Sequence, residues 1–380
     1  MPKILFISNI SKKVNTFSIA SIKAAKHMGL EYFYGANWDN AGEEQIELDE
    51  KQYDIKIVNI PLKRSPFSLS NYRAYKYLIQ FIIDNKIDYI HCNTPVGGLL
   101  GRLAGARSRV KKIIYQAHGF HFNKGAPLIN WLLYYPIEKW LAHKTDALIT
   151  INKEDYERAS TKFHLRGNGK VHYVPGVGID YTQYIHDDVA KQIKRKELGL
   201  KEDDIALISM GDLIARKNYP IAIKALSKIG NPKVKYFICG KGPDEQKLKA
   251  LAKELSLEKQ VFFLGFRSDI KELLNACDIF VLTSKQEGLA RSLMEGMAAG
   301  LPCIASKIRG NIDILEEGKG GYLIDVDDVV SYSNSINDLV ENTEKIKSFG
   351  QWNLEKIKDY SIDSIVRHIG IIYESEFIGD

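Results

Sequence analysis

Long apolar runs are missing from this 380-residue chain. None approaches the roughly 18 consecutive apolar residues of a membrane-spanning helix, so no transmembrane segment is expected. The N-terminus, MPKILFISNI, enters a buried-strand pattern at once and lacks the charged-then-apolar layout of a secretory signal. Cysteine is scarce: Cys92, Cys239, Cys277 and Cys303 are scattered beside strand-like residues, and no pair has zinc-ligand spacing. Reduced core thiols in a cytosolic protein are therefore expected, with no disulfide framework and no metal site. Both common phosphate-loop fingerprints are missing too. Gly176-Val177-Gly178 has no third glycine and no helix context, and Gly167-Asn168-Gly169-Lys170 has no Ser or Thr after Lys170. Dehydrogenase and P-loop readings are weak on that ground.

What is present fits a soluble globular protein, with 45% apolar and 26% charged residues, and the length favours two domains. The charge is uneven. Residues 1–185 hold 25 Lys and Arg against 16 Asp and Glu, a net of +9, and the remainder holds 28 against 31, a net of −3. A basic half points to an anionic partner, either phosphates on a membrane surface or a lipid-linked substrate; ordinary solvated charge explains an excess of this size equally. Nucleic acid is not expected as a partner.

Short apolar runs alternate with helical patterns throughout. Strands are predicted at 3–8, 55–60, 89–92, 112–116, 147–150 and 171–174, with helices at 16–28, 70–85, 96–106, 128–143 and 153–163. A second series of strands follows at 205–210, 235–239, 261–264, 279–283, 303–306 and 321–324, with helices between them. This is the α/β pattern of two doubly wound parallel sheets, each Rossmann-like. The seam is expected at 176–186, giving domains at 1–180 and 187–360, with a C-terminal helix at about 361–380 packing back on the first. Ligands of such sheets bind at the carboxyl ends of the strands.

Five strand-end turns carry chemistry. The segment TSKQEGLARSLMEGMAAG at 283–300 runs from a glycine-broken loop into a helix, and it places Glu287 and Glu295 eight positions apart. Amides at such a helix start suit a phosphate, and the two acids suit sugar hydroxyls; acids near a helix N-terminus are also favoured by the dipole alone. In GDLIARKN at 211–218, Arg216 and Lys217 offer two cations to two phosphates, or form an exposed basic turn. In QAHGFHF at 116–122, His118 ends a strand beside a glycine, placed to bond a sugar hydroxyl or a backbone carbonyl, with His121 further into the loop. Gly240 in CGKGP and Gly265 in GFR allow close backbone approach, and the second turn carries Arg267. Asp325-Val326-Asp327 tempts a metal assignment, but helix N-capping is expected there.

In order and spacing these motifs resemble the retaining glycosyltransferases of family 4, which have the GT-B fold. The resemblance covers nearly the whole chain. HCNTPVGGLLGRLA at 91–104, KGAPLINWLLYYPIEKWLA at 124–142, ITINKEDY and VPGVGID resemble the bacterial capsule and exopolysaccharide branch. It implies an N-terminal acceptor-binding domain and a C-terminal donor-binding domain for a nucleotide-sugar. Lys217 and Arg216 would hold the donor diphosphate, Glu295 the ribose and Glu287 the transferred sugar. The amides of Gly288, Leu289 and Ala290 would support sugar and phosphates, with Gly240 close by. Arg267 and its backbone would lie against the base, and His118 near the anomeric centre. The implied activity is hexosyl transfer from a UDP-sugar, with an N-acetylated amino sugar expected, and needs no metal or cofactor.

Two departures accompany the resemblance. Asp212 stands where many members carry arginine, leaving Arg216 to compensate. The loop SNISKKVNTF lacks the usual glycine pair, so Lys12, Lys13 and Asn15, with His121 and Lys124, are assigned to the acceptor. A polyprenyl-diphosphate-linked glycan is the expected acceptor, met by a cytoplasmic protein peripheral to the inner membrane face. The basic run Arg107-Ser108-Arg109-Val110-Lys111-Lys112 is the expected contact with anionic headgroups, whereas the apolar stripe at 128–142 (Trp131, Leu132, Tyr135, Trp140) reads more as core than as membrane contact. Two other functions fit the same residues: a UDP-sugar 2-epimerase of this architecture, and a non-catalytic sugar-nucleotide-binding scaffold.

Overall fold

The computed structural model describes residues 1–66, 68–184 and 186–377. Contacts divide the chain into two units, one of Met1–Gly178 with Ile362–Asp380 and one of Ile179–Ser361. The expected seam includes Ile185 and the expected final helix includes residues 378–380, both outside the described residues.

The first unit runs β1 (Lys3–Ile10), α1 (Thr16–His27), β2 (Glu31–Asn37), α2 (Glu43–Tyr53), β3 (Lys56–Asn59), α3 (Leu69–Asp84), β4 (Tyr89–Asn93), α4 (Pro95–Ser108), β5 (Lys112–Ala117), α5 (Leu128–Ala142), β6 (Ala147–Thr150), α6 (Lys153–Lys162) and β7 (Lys170–Tyr173). Its seven strands pair in parallel in the order β3-β2-β1-β4-β5-β6-β7. Both faces are covered, which is why the strands read as continuous apolar runs. In β1, Leu5 and Ile7 join the core under α3 and α4, while Ile4 and Phe6 join the opposite core under α1. Helix starts follow from their caps: Asn15, Ser68 and Asn152 each accept a backbone N–H of the first turn.

The second unit runs α7 (Asp188–Glu197), β8 (Ile205–Met210), α8 (Tyr219–Ile229), β9 (Val234–Cys239), α9 (Glu245–Glu254), β10 (Val261–Gly265), α10 (Ile270–Ala276), β11 (Ile279–Leu282), α11 (Arg291–Ala298), β12 (Cys303–Ser306), α12 (Asn311–Ile314), β13 (Gly321–Ile324), α13 (Val329–Glu341) and α14 (Thr343–Lys356). Its six strands pair in parallel in the order β10-β9-β8-β11-β12-β13. The last helix, α15 (Ile362–Phe377), returns to the first unit. There Tyr373 Oη meets Ser21 Oγ at 2.7 Å and His91 Nδ1 at 2.6 Å, and Phe377 stacks on Tyr89 at 3.9 Å.

Several elements differ from the sequence expectation. β2 was not anticipated because Gly35-Ala36-Asn37 interrupts its apolar pattern. The space beside Gly35 is filled by a side chain, since a Cβ there would lie 2.5 Å from Ile60 Cδ1. α2 escaped notice because it buries only Asp49, whose Oδ2 accepts from Val14 N at 2.6 Å, and so has no apolar stripe. The cap of α13 is Asp328, bonding Ser331 N, rather than Asp325 or Asp327. The stripe on α5 is split: Trp131 and Tyr135 pack on the core, whereas Leu132 and Trp140 face outward. The basic run at 107–112 is partly engaged in structure, with Arg109 as the left-handed C-cap of α4 and Lys111 paired to Asp88 at 2.8 Å. All four cysteines are buried free thiols.

Candidate active site

In each sheet the strand order reverses once, between β1 and β4 and between β8 and β11. The carboxyl ends of those strands are where a doubly wound sheet leaves room for a ligand, and both groups of candidate residues lie there.

In the second unit, β8 ends at Met210 and the chain turns through Gly211 (φ +145°) into a short 3-10 turn, Ala215–Lys217. Lys217 Nζ donates to Glu287 Oε1 at 2.7 Å, and Arg216 Nη1 lies 3.3 Å from the same oxygen. The Lys217 and Glu287 side chains are largely buried, Arg216 less so. The two loops are stitched by backbone: Lys285 N donates to Arg216 O at 2.8 Å, Thr283 Oγ1 to Lys217 O at 3.0 Å, and Arg216 Nη1 to the Gln286 carbonyl. One carboxylate thus holds two cations, an arrangement that an incoming dianion can enter by displacing it.

Glycine sets the close approach of the neighbouring turns. A Cβ on Gly240 (φ +151°) would lie 1.9 Å from Gly211 O, and one on Gly310 (φ +82°) would lie 2.5 Å from Gly288 O. Gly211 N bonds Cys239 O at 2.9 Å and Gly240 N bonds Gly265 O at 2.8 Å, so the ends of β8, β9 and β10 form one backbone rim. Past Gly288 and Leu289, Ala290 starts α11 with no side-chain cap. Unsatisfied first-turn amides are the usual anion-binding feature of such a start. Glu295 sits inside α11, where Arg291 Nε lies 3.0 Å from its Oε1. Burial raises the pKa of the Tyr184 hydroxyl, and the adjacent Glu295 charge raises it further.

The Arg267 side chain is engaged by acids of its own unit. Its guanidinium forks onto Asp269, with Nε to Oδ1 at 2.7 Å, and reaches Glu197 at 3.1 Å. Those hydrogen bonds raise its pKa, so the guanidinium stays charged and paired. Phe266 beside it is exposed.

In the first unit a cavity of about 440 Å³ lies at the carboxyl ends of β1, β4 and β5. His118 lines it, with Nε2 donating to Asn93 Oδ1 at 2.8 Å and the Phe17 ring edge-on at 4.9 Å. Its Nδ1 is shielded and has no hydrogen-bond partner. Burial pulls the His118 pKa down to about 4, so the ring is neutral near pH 7 and Nδ1 is an acceptor. Thr94 at the start of α4 has φ +64°, a strained conformation in the cavity wall. Glu138 of α5 also lines it, bonded to the buried Arg102 Nη1 at 2.8 Å. The Arg102 guanidinium stacks on Tyr115 at 3.7 Å; burial opposes its charge, but Glu138 more than offsets this and its pKa is raised.

Of the acceptor candidates, Asn15 and His121 line this cavity; His121 stacks on Tyr134 at 4.6 Å, and Asn15 also caps α1. Lys12, Lys13 and Lys124 are exposed and outside its lining. Sequence reasoning missed Asn93, Thr94, Tyr134 and Glu138 here. In the second unit it missed Arg309, whose Nε donates to Glu287 O at 3.2 Å. The signal for Arg309 was available: Arg309-Gly310 follows β12 as the other turns follow their strands.

Residues 190–354 match the family model for glycosyl transferases group 1, and residues 40–152 match that for glycosyl transferase 4-like proteins. The chain is 36% identical to EpsD of Bacillus subtilis (strain 168), a protein named as a glycosyltransferase, over 98% of this chain and 96% of that one. It is 30% identical over 76% of its length to the Escherichia coli UDP-Gal:alpha-D-GlcNAc-diphosphoundecaprenol alpha-1,3-galactosyltransferase, covering 79% of that protein. Among solved structures, Anabaena HepE in complex with UDP-glucose superposes with a TM-score of 0.79 at 22% identity, covering 99% of this chain and 100% of that one, a likeness of fold. With two Rossmann-like parallel-sheet domains and these relatives, the chain belongs to the GT-B glycosyltransferases of family 4.

Proposed function

We propose that this protein moves a sugar from a UDP-sugar to a saccharide carried on a polyprenyl diphosphate, with retention at the anomeric carbon, during assembly of a bacterial capsule or exopolysaccharide. The observation that carries this reading is the Lys217–Glu287 pair at 2.7 Å, set where the strand order of the second sheet reverses. The Escherichia coli relative supports the UDP donor and the lipid-linked acceptor, because its name specifies both.

In this reading the donor diphosphate takes over Lys217 and Arg216, assisted by the amides of Gly288, Leu289 and Ala290. Glu287 is released to accept hydroxyls of the transferred sugar, and Glu295 holds the ribose. The Gly240 rim admits the phosphates, and the Gly265–Arg267 turn meets the base through its backbone. As the bond from C1 to the diphosphate oxygen breaks, its electron pair stays on the diphosphate, where the two cations stabilise it. The acceptor hydroxyl oxygen bonds to C1, and its proton passes to a diphosphate oxygen of the leaving group. His118, neutral, contacts a sugar ring in the cavity that it lines. The cations fill the role of a metal, so the rate is expected to be unchanged by a chelator.

The resemblance to the capsule branch makes an N-acetylated amino sugar the donor to try first. We place the protein in the cytoplasm, peripheral at the inner face of the membrane. Among the described residues no helix is long and apolar enough to cross it. Incubation with UDP-glucose, UDP-galactose and UDP-N-acetylglucosamine, with and without a polyprenyl-diphosphate-linked GlcNAc, tests the reading. Acceptor-dependent UDP release supports transfer. Isomerised donor supports the epimerase instead, and tight donor binding without any product supports the scaffold.

A further inference from the structure

Two unfavourable features meet on one wall of the His118 cavity. The first is a buried ion pair. Arg102 of α4 has a side chain 1% exposed and reaches Oε2 of Glu138, on α5, through Nη1 at 2.8 Å. Its Nε donates to the Gly98 carbonyl at 2.8 Å, and its guanidinium lies on the Tyr115 ring. Desolvation offsets most of what such a pair gains, so stability alone is a weak reason for it. The second is Pro136, inside α5. A proline there cannot donate to the carbonyl four residues back, at Leu132, and its ring crowds that turn. Tyr134 and Glu138 stand on either side of Pro136, and both line the cavity.

We propose that Glu138 is an acceptor-binding residue, whose carboxylate takes hydrogen bonds from hydroxyls of the acceptor's terminal sugar and so selects a neutral sugar over an acidic one. This rests on the transferase reading above and names the class of acceptor. The Glu138 side chain is 14% exposed where Arg102 is fully covered, so the pair presents its negative end to the cavity. A carboxylate has about four lone-pair sites. Arg102 takes one, and Tyr115 Oη lies 3.4 Å from Oε1, a long contact, so sites remain for incoming hydroxyls. Among the described residues Glu138 is the one carboxylate in the lining, and no Lys or Arg lines the cavity with it. A uronate in that place would meet a like charge with no cation to pair with, a strongly disfavoured contact. Tyr134, stacked on His121 at 4.6 Å, adds a flat aromatic wall. The cavity's volume of about 440 Å³ lies within the range of small-ligand pockets, about 300–1,000 Å³, and a few placed polar groups among aromatic walls are their usual lining.

The test compares acceptors on the full chain, with the UDP-sugar that it turns over. The acceptors are polyprenyl diphosphates carrying GlcNAc alone, or a disaccharide that ends in glucose or in glucuronic acid. Wild type should use the glucuronate-ended acceptor with a kcat/KM about 10²-fold below that of its best neutral one. Glu138→Gln should raise the KM of the neutral acceptor about tenfold, narrow the gap to the acidic one, and leave calorimetric UDP affinity near wild type. Because that variant leaves Arg102 buried without its counter-charge, Arg102→Met with Glu138→Gln is the companion. It removes both charges, and the acceptor KM should stay raised by a similar factor. A companion with its acceptor KM restored to the wild-type value would show that the pair serves folding alone, which overturns the inference. Equal use of neutral and glucuronate-ended acceptors by wild type overturns it too. If no lipid-linked acceptor is turned over, the transferase reading falls and takes this inference with it. If acceptors are turned over with unchanged KM in both variants, only this inference falls.

Discussion

The two units share a plan and differ in chemistry. Each is a parallel sheet whose strand order reverses beside its first strand, and each places its candidate residues at that reversal. At the second, the rim is glycine-lined and charged, with Lys217 and Arg216 on one carboxylate. At the first, the walls are aromatic and the central histidine is neutral. The difference matches the two halves of glycosyl transfer. A diphosphate needs backbone amides and cations at close range, whereas a sugar needs hydrogen-bond acceptors and flat apolar surfaces.

Variants on each side should break in different ways. Lys217→Ala should have the largest effect, lowering kcat/KM for the UDP-sugar about 10³-fold, because it removes leaving-group stabilisation and leaves Glu287 without its closest cation. UDP binding by calorimetry should weaken in parallel. His118→Ala should lower kcat about 10²-fold while UDP affinity stays near wild type; a matching loss of UDP affinity would erase the distinction between the units. Glu295→Ala should raise the donor KM about tenfold with little change in kcat, as expected for lost hydrogen bonds to a charged acceptor.

The smallest effect concerns acidity. The folded pKa of His118 is about 4 against an ordinary 6.5, and that of the fully buried His91 is about 3. The unfolded chain therefore takes up protons first as the pH falls. The contribution of these two groups to stability should be full above pH 6.5, drop as the pH falls from 6.5 towards 4 for His118 and towards 3 for His91, and then level off. Thermal melts across that window should fall less steeply for His118→Phe than for wild type. Equal slopes would mean that burial does not hold the ring neutral.

Much of this was legible in the sequence, for a physical reason. Strands buried on both faces give unbroken apolar runs, so all six strands of the second unit were found. β2 was hidden by the small residues Gly35 and Ala36 that break its apolar run, and α2 because the residue it fully buries is the acid Asp49. Strand-end glycines and charges signalled the Lys217–Glu287 cluster. Tyr134 and Glu138 gave no such signal, because a helical residue that lines a cavity follows the same period as one that fills a core. The stripe on α5 was read as core and is so for Trp131 and Tyr135 only, because a helix apolar on both sides does not say which side is covered. Arg267 was assigned by resemblance, and the local acids Asp269 and Glu197 claim its guanidinium.

The most direct test of the central claim is a discharge assay with radiolabelled UDP-sugars and a polyprenyl-diphosphate-linked GlcNAc. UDP release and labelled lipid should appear in equal amounts, only when both substrates are present, and should vanish in Lys217→Ala. Donor isomerisation without labelled lipid, or full turnover in the Lys217 variant, would contradict it.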